Sequence, residues 1–179
     1  MNTNISLPQA PKLIEKPSEN RAVFEIEELY PGYGLTIGNA LRRIMLSSLP
    51  GAAITHVKIK GVSHEFSTIP GVMEDIVELT LNLKLIRFKV HGDEPQTVHL
   101  KVKGEKEVKG KDIVSPTQAE VVNPGVHIAT LTSRDAVFEM EMQVEKGLGY
   151  SAVESRKNEK QEIGSMSIDA IFSPIRKIN

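Results

Sequence analysis

Residues Gly32–Gly51 read GYGLTIGNALRRIMLSSLPG, and this stretch is the strongest local signal in the chain. Its apolar residues recur every four positions, which is the pattern of a helix that buries one face. They are Ile37, Leu41, Met45 and Leu49, and Ile44 and Ser48 widen the same stripe. Pro50 and Gly51 end the helix. The adjacent Arg42 and Arg43 cannot both fit beside this stripe, so we expect at least one of them to face solvent or a partner.

A glycine-rich turn opens this helix and follows a strand-like segment at Phe24–Leu29, which is the order found in dinucleotide-binding units. The glycines Gly32, Gly34 and Gly38 are spaced G-x-G-x-x-x-G, one residue longer than the dinucleotide motif. No strand with an acidic residue for a ribose follows at the usual distance. We therefore expect no nucleotide cofactor and interpret the glycines as positions of tight turning or close backbone approach.

Further motifs follow the first helix along the chain. They are GVSHEFST at Gly61–Thr68, GVMEDI at Gly71–Ile76, LNLK at Leu81–Lys84, EKGLGY at Glu145–Tyr150 and IDAIFSPI at Ile168–Ile175. Together with the first helix, these motifs resemble the alpha subunit of bacterial RNA polymerase in order and spacing, from about Pro11 to the final residue. Several long motifs in a fixed order are a far more specific signal than one short pattern.

This resemblance implies a non-catalytic scaffold on which a bacterial RNA polymerase is assembled for transcription. The chain would then form a homodimer, bind the beta and beta-prime subunits, and belong to a nucleotidyltransferase complex without carrying catalytic residues or a cofactor. The residues that match subunit-binding positions of the family are Arg43, Leu46, Lys84, Ile168 and Ile175, with Asn39 and Arg42 as possible additions. The resemblance assigns the apolar stripe of the first helix to the dimer interface and leaves DNA contact to the complex as a whole.

The resemblance also divides the chain into two parts. Residues 1–52, with about 174–179, correspond to a dimerisation and assembly subdomain, and residues 53–173 correspond to an inserted β-rich subdomain. Family members continue beyond the last shared block with a strand and a long helix that packs on the first helix, and then with a linker and a DNA-binding domain. We therefore expect the first subdomain to be incomplete here, with its apolar stripe open to self-association or to a partner.

Composition limits the class of protein. The 179 residues suffice for one ordinary domain or two small ones, and a hydrophobic content of 40% supports a real core. A formal net charge of −1 argues against a chain that mainly coats nucleic acid, and the lack of cysteine excludes disulfides and thiol chemistry. The sequence shows no signal peptide and no apolar run of about eighteen residues, so we expect a soluble cytoplasmic protein that has no membrane partner.

The alternation of apolar and polar residues predicts an α+β fold, mostly antiparallel or mixed sheet, with two main helices. The second helix is expected over Gly71–Lys84, where apolar residues have helical spacing. The expected strands are Arg21–Leu29, Ile54–Ile59, Leu85–Val90, Thr97–Lys103, Val126–Leu131, Phe138–Glu145 and Met166–Phe172. Residues 2–19 contain three prolines and no periodicity, which indicates an extended arm.

Two charged stretches are interpreted as solvent-exposed loops. The lysines from Lys101 to Lys111 are interspersed with glutamates and glycines, which favours a mobile loop over a nucleic-acid site. Arg156–Glu162 has mixed charge, and together with the glycine-rich turn at Lys146–Tyr150 it is expected to form a flexible flap.

Side chains suited to enzyme chemistry are sparse. None of the five histidines has the spacing of a zinc site. Asp75 and Glu78 lie one turn apart on the second predicted helix and could pair as acid and base, although a solvated helical face is the simpler interpretation. His64 and Glu65 are adjacent, so a strand would direct their side chains to opposite faces.

Two alternatives to the polymerase scaffold stay open. One is a stand-alone protein-interaction module, unrelated to transcription, that uses the stripe of the first helix. The other is a small-molecule enzyme with a pocket near Asp75, Glu78 or His64.

Overall fold

The computed structural model describes residues 8–62, 64–156 and 164–179. Within these residues the chain forms two α-helices, α1 Tyr33–Ser47 and α2 Ile76–Leu83. The strands of the same residues are β1 Lys12–Ser18, β2 Arg21–Glu25, β3 Pro50–Ile59, β4 Phe88–Val90, β5 Gln96–Lys103, β6 Lys106–Lys109, β7 Ile113–Val114, β8 Ala119–Val121, β9 His127–Leu131, β10 Val137–Leu148, β11 Tyr150–Ser151, β12 Ser165–Ser167 and β13 Ala170–Ile171. Two helices and a strand-rich antiparallel sheet confirm the predicted α+β class.

The chain divides into two compact units, Met1–Ile44 and Met45–Asn179. In the first unit, β1 and β2 form an antiparallel hairpin in which Leu13 lies opposite Phe24. The predicted extended arm is therefore wrong for β1, because backbone hydrogen bonds to β2 give this irregular sequence a strand partner. Residues 2–7 of the predicted arm lie outside the described residues.

The connection from β2 to α1 differs from the predicted strand. β2 ends at Glu25 and not at Leu29, and Glu28 has a left-handed φ of 60°, which a strand does not contain. The helix α1 then begins at Tyr33, whose N–H donates to the carbonyl of Tyr30 at 2.9 Å.

The second unit is built on a seven-stranded antiparallel sheet with the order β7-β5-β10-β3-β4-β8, in which β12 also pairs with β3. The strand β3 pairs with β10 along its whole length, from Ile59 opposite Met140 to Pro50 opposite Leu148. The alternation predicted for β5 and β10 is confirmed, because their apolar residues are buried and the polar residues between them lie on the other face. The buried residues of these two strands are Val98, Leu100, Val102, Phe138, Met140, Met142 and Val144.

Helix α2 begins later than its periodicity suggested. The side chain of Asp75 accepts a hydrogen bond from the N–H of Glu78 at 2.7 Å, which makes Asp75 the N-cap of the helix. The predicted start at Gly71 is wrong, because Val72 instead forms a β-bridge with Leu131. The helix packs against β9, and its buried residues are Ile76, Leu79 and Leu83.

Three other predicted segments need correction. The strand expected over Leu85–Val90 contains a turn first, and β4 covers only its second half. The lysine-rich segment is not simply a mobile loop, because β6 pairs with β9 and buries Val108 completely. The strand expected over Met166–Phe172 is interrupted at Ile168 and Asp169, which separate β12 from β13.

The predicted flap is also largely ordered where it is described. The strand β10 continues to Leu148, and Gly149 turns the chain into β11 with a left-handed φ of 60°. Arg156 ends a 3₁₀ turn, and its guanidinium donates to the carbonyl oxygens of Thr55 and Ile168, so it is not part of an exposed loop. Residues 157–162 of the predicted flap lie outside the described residues.

Two glycines that face each other across β3 and β10 make room for Phe172. Gly51 lies opposite Gly147 in the register of these strands. A Cβ placed on Gly51 would lie 1.8 Å from the carbonyl oxygen of Phe172, and a Cβ on Gly147 would lie 2.5 Å from the ring of the same residue. The segment around Phe172 therefore packs on the sheet at a spacing that only glycine permits.

A buried carboxylate joins the turn before α2 to β9. Glu74 accepts hydrogen bonds from the N–H of Thr130 at 2.7 Å, from the hydroxyl of Thr130 at 2.9 Å and from Nε2 of His127 at 2.9 Å. Nδ1 of His127 lies 3.3 Å from the carboxylate of Glu107 on β6. Burial raises the pKa of Glu74, but the hydrogen bonds from Thr130 and His127 outweigh this effect, so its pKa lies below the ordinary value of 4.5.

We expect Glu74 to contribute to the acid sensitivity of the fold. Because its pKa is lower in the folded than in the unfolded chain, its stabilisation is complete above the unfolded pKa and is lost as the pH falls through the folded pKa. Urea unfolding at a series of pH values from about 6 down to about 3 would measure this loss. Glu74→Gln should reduce the loss of unfolding free energy at low pH. Glu120→Gln, at an exposed position of β8, should leave the pH dependence as in the wild type.

Candidate functional site

Helix α1 carries the first group of residues matched by the family motif. At 100° per residue, Asn39, Arg42, Arg43 and Leu46 lie within about 100° of one another around the helix axis, on one face. Between its two ends the backbone of α1 satisfies its own hydrogen bonds, so the helix does not depend on side-chain contacts made on this face.

The opposite face of α1 is apolar. Ile37, Leu41, Ile44 and Met45 are spread over about 100° on the far side of the axis from Arg43. Leu41 is 45% exposed, and none of the described residues of α1 is fully buried. The described residues therefore provide no complete apolar cover for this stripe.

The residue Leu49 follows the helix. It is half-buried and lies just before Pro50, where β3 begins, so it does not continue the helical stripe. α1 ends at Ser47 because the chain enters the extended strand.

The second group of matched residues lies in the Met45–Asn179 unit. Lys84 is the C-cap of α2, and its Nζ lies 3.0 Å from Oδ2 of Asp169. The other carboxylate oxygen of Asp169 accepts a hydrogen bond from the N–H of Val153 at 3.1 Å. The ammonium of Lys84 and the N–H of Val153 hold the pKa of the Asp169 carboxyl below its usual range.

This ion pair brings Lys84 next to Ile168. The N–H of Ile168 donates to the carbonyl of Thr55 on β3 at 2.9 Å, and its own carbonyl accepts from Arg156. The side chain of Ile168 is buried, with 5% of its surface exposed. Ile168 therefore packs beneath the surface that carries the ion pair of Lys84 and Asp169 and is not itself exposed on it.

The remaining matched residue, Ile175, lies in the last described segment. Its N–H donates to the hydroxyl of Ser173 at 3.3 Å. The N–H of Ser173 and that of Phe172 both donate to the carbonyl of Gly149, at 3.0 and 2.9 Å. A Cβ on Gly149 would lie 3.2 Å from the carbonyl oxygen of Ser47, so the glycine that holds this segment lies close to the end of α1.

Sequence reasoning missed the residues that organise these contacts. Gly149 and Asp169 lie within the quoted motifs and Arg156 lies in a mixed-charge stretch, but neither setting distinguishes a structural partner from a surface residue. Asp169 occupies a polar position of an alternating sequence, and an aspartate at such a position gives no indication of its partners.

Two of the residues considered for enzyme chemistry, Asp75 and His64, make local structural contacts. Asp75 caps α2, and His64 lies 3.1 Å from the hydroxyl of Ser67 in a turn. Among residues 8–62, 64–156 and 164–179, no cluster of three or more His, Asp or Glu side chains could hold a metal ion. No helix of the described residues is long and apolar enough to cross a membrane.

A groove of about 570 Å³ lies on the polar face of the sheet over β3, β10 and β5. Its acidic residue Glu139 pairs with Lys60 at 3.2 Å and with Lys101 at 3.3 Å. These two lysines hold the pKa of Glu139 below its usual range. A general base that operates near neutral pH needs the opposite shift, so this carboxylate is poorly suited to that role.

Comparison with known proteins gives one consistent result. Residues 57–173 match the family described as RNA polymerase Rpb3/RpoA insert domain. The chain is 49% identical over 169 residues to the DNA-directed RNA polymerase subunit alpha of Alkaliphilus oremlandii, covering 94% of this chain and 53% of that protein. It is 50% identical over 162 residues to the subunit alpha of a Roseiflexus species, covering 90% of this chain and 50% of that protein. It is also 50% identical over 174 residues to the subunit alpha of Geobacter metallireducens, covering 95% of this chain and 51% of that protein.

The chain thus spans about half the length of these relatives. The match to the insert domain extends over more than half of the chain, and the identity to the relatives covers both units. The chain therefore belongs to the family of RNA polymerase alpha subunits that carry the Rpb3/RpoA insert domain.

Proposed function

We propose that this chain is a non-catalytic assembly scaffold of a bacterial DNA-directed RNA polymerase. The observation that carries this proposal is an identity near one half, over nearly the whole chain, to proteins named as the alpha subunit of that enzyme. The two faces of α1 support it, because a helix with one apolar face and one arginine-bearing face can serve two protein contacts at once.

The arginine-bearing face is proposed to bind a large polymerase subunit, beta or beta-prime. A guanidinium offers a planar fork of donors that suits carboxylates and backbone carbonyls at an interface. Arginine is among the residues that most often dominate the binding energy of an interface, and Arg43 lies beside Leu46 on this face. Asn39 and Arg42 extend the same surface.

The apolar face is proposed to pack against a second copy of the chain. Exposed contiguous apolar surface is rare on monomers and commonly marks an interface. A two-fold dimer presents the arginine-bearing face twice, which would allow the beta and beta-prime subunits to bind equivalent surfaces. The proposed interface includes Ile37, Leu41 and Met45 of α1, together with Leu49, which follows the helix.

These two contacts assign different roles to the two proposed subdomains. Residues 1–52, with 174–179, would form the dimerisation and assembly subdomain, and residues 53–173 the inserted subdomain. In this role the chain needs no cofactor and no catalytic residue of its own, acts in the cytoplasm, and meets DNA only through the assembled enzyme.

Arg43→Ala should separate assembly from folding. Replacing a helix surface arginine by alanine changes the free energy of unfolding by roughly 0.5 kcal/mol or less. Loss of a central interfacial arginine costs about 2 kcal/mol or more of binding. We therefore expect an almost unchanged melting temperature and a loss of the beta subunit from pull-downs.

Arg42→Ala is the matched control for this experiment and should retain more of the beta subunit. Unchanged recovery of beta with Arg43→Ala would remove Arg43 from the interface. A wild-type chain that recovers neither large subunit would instead support the interaction module unrelated to transcription.

Leu41→Asp should disrupt the dimer without unfolding the chain. The side chain is already 45% exposed, so a charge there has little effect on the single chain, but it would be desolvated in an apolar dimer interface. Sedimentation should show at least about a tenfold weaker dimer. Leu35→Asp lies about 120° away around α1 and should sediment as the wild type. A wild-type chain that stays monomeric at high concentration would contradict the proposed interface.

A further inference from the structure

Asp169 uses both of its carboxylate oxygens within the chain. Oδ2 lies 3.0 Å from the ammonium of Lys84, and Oδ1 accepts the N–H of Val153 at 3.1 Å. The side chains of Lys84 and Asp169 are 21% and 31% exposed, so the pair is largely shielded from solvent. In such a pair the loss of one partner leaves the other charge poorly solvated.

These contacts join three segments that are distant in sequence. Lys84 ends α2, Val153 begins the 3₁₀ turn that closes at Arg156, and Asp169 lies between β12 and β13. Arg156 in turn donates to the carbonyls of Thr55 and Ile168. One carboxylate therefore fixes the position of the turn and of the lysine together.

We propose that Asp169 is a positioning residue of the assembly surface, and that Lys84 acts as its intrachain partner and does not offer its charge to a large subunit. This inference rests on the proposed function, because the surface it describes is the one that would meet beta or beta-prime. A partner carboxylate that drew the ammonium away from Asp169 would leave the Asp169 carboxylate shielded and without its cation. The partner would instead contact the backbone and apolar groups that the pair holds in place.

A double-mutant cycle in the complete natural protein tests this assignment. Lys84→Met removes the charge and keeps the length of the side chain, and Asp169→Asn removes the charge and keeps an acceptor for the N–H of Val153. Each variant should weaken binding of the large subunit about tenfold, and the double variant should be no weaker than the weaker single variant, because both changes remove the same interaction. Circular dichroism melting would confirm that each variant is folded.

A second readout separates positioning from general destabilisation. Asp169→Ala removes the acceptor as well as the charge, so hydrogen exchange at the N–H of Val153 should accelerate in this variant and change far less in Asp169→Asn. Binding should follow the same order, with Asp169→Ala weaker than Asp169→Asn.

Several results would overturn the proposal. If the double variant binds the large subunit about a hundredfold more weakly, the two single effects are independent. Lys84 would then contact the partner directly. Full binding by Asp169→Ala would mean that the pair does not shape the surface. A wild-type protein without affinity for beta or beta-prime would refute the proposed function itself, and the same cycle measured by urea unfolding would then decide whether the two residues form a coupled pair within the fold.

Discussion

Gly51→Ala is expected to lower the free energy of unfolding by more than about 3 kcal/mol, or to prevent folding altogether. A Cβ at this position would lie 1.8 Å from the carbonyl oxygen of Phe172, and backbone atoms cannot move aside as a side chain can. Relief of the overlap would have to separate the segment around Phe172 from β3. Urea unfolding followed by circular dichroism would measure the loss.

Two related variants sharpen this prediction. Gly147→Ala would meet the ring of Phe172, so Phe172→Ala should relieve part of its effect but none of the effect of Gly51→Ala, which involves the backbone of Phe172. Gly125→Ala places its Cβ in open space among the described residues and should be nearly neutral. A Gly51→Ala protein as stable as the wild type would show that this close approach does not exist in solution.

Glu74→Ala is expected to destabilise the fold by about 3 kcal/mol. The substitution removes the acceptor of the Thr130 N–H, the Thr130 hydroxyl and the His127 ring in a buried place, and an unsatisfied buried donor costs far more than a lost surface contact. The loss should appear in urea unfolding at neutral pH, with the slope of the transition unchanged.

The matched control for this substitution is Glu74→Gln. Glutamine keeps the length of the side chain and one carbonyl oxygen, so the N–H of Thr130 retains an acceptor and the loss should be clearly smaller. Equal stability of wild type and Glu74→Ala would mean that water replaces the carboxylate at no cost, and the buried role of Glu74 would be wrong.

The strands that the sequence predicted best are those whose two faces differ most in polarity. Every second residue is apolar and buried from Val98 to Val102 in β5 and from Phe138 to Val144 in β10, so alternation alone located these strands. The strand β6 was missed because Val108 is its one fully buried side chain, and a short charged strand has no alternation to detect.

The ends of the helices and strands were predicted less well, because they depend on side-chain and backbone contacts that no local pattern contains. The start of α2 is set by the side chain of Asp75, and periodicity extended the helix backward to Gly71 because Val72 and Met73 also have helical spacing. The interruption between β12 and β13 is set by the contacts of Asp169, which no local pattern contains.

The candidate site was predictable only in part for the same reason. The spacing of α1 suffices to separate an apolar face from an arginine-bearing face, and the family motif supplied the residues that were matched. The contacts of Lys84 with Asp169, and of Gly149 with the end of α1, follow from the tertiary fold and had no sequence signal. The roles of Arg43, Leu46, Lys84, Ile168 and Ile175 in subunit binding stay predictions.

The long pairing of β3 with β10 has a consequence for synthesis of the protein on the ribosome. His56 of β3 pairs with Gln143 of β10, which is 87 positions further along the chain. The ribosome therefore completes β3 well before it synthesises β10. At about 5–20 residues per second the delay is roughly 4–17 s. During this interval the apolar side of β3, including the fully buried Val57, has no native cover from β10, and the nascent chain should be most prone to aggregation and to chaperone capture until β10 emerges.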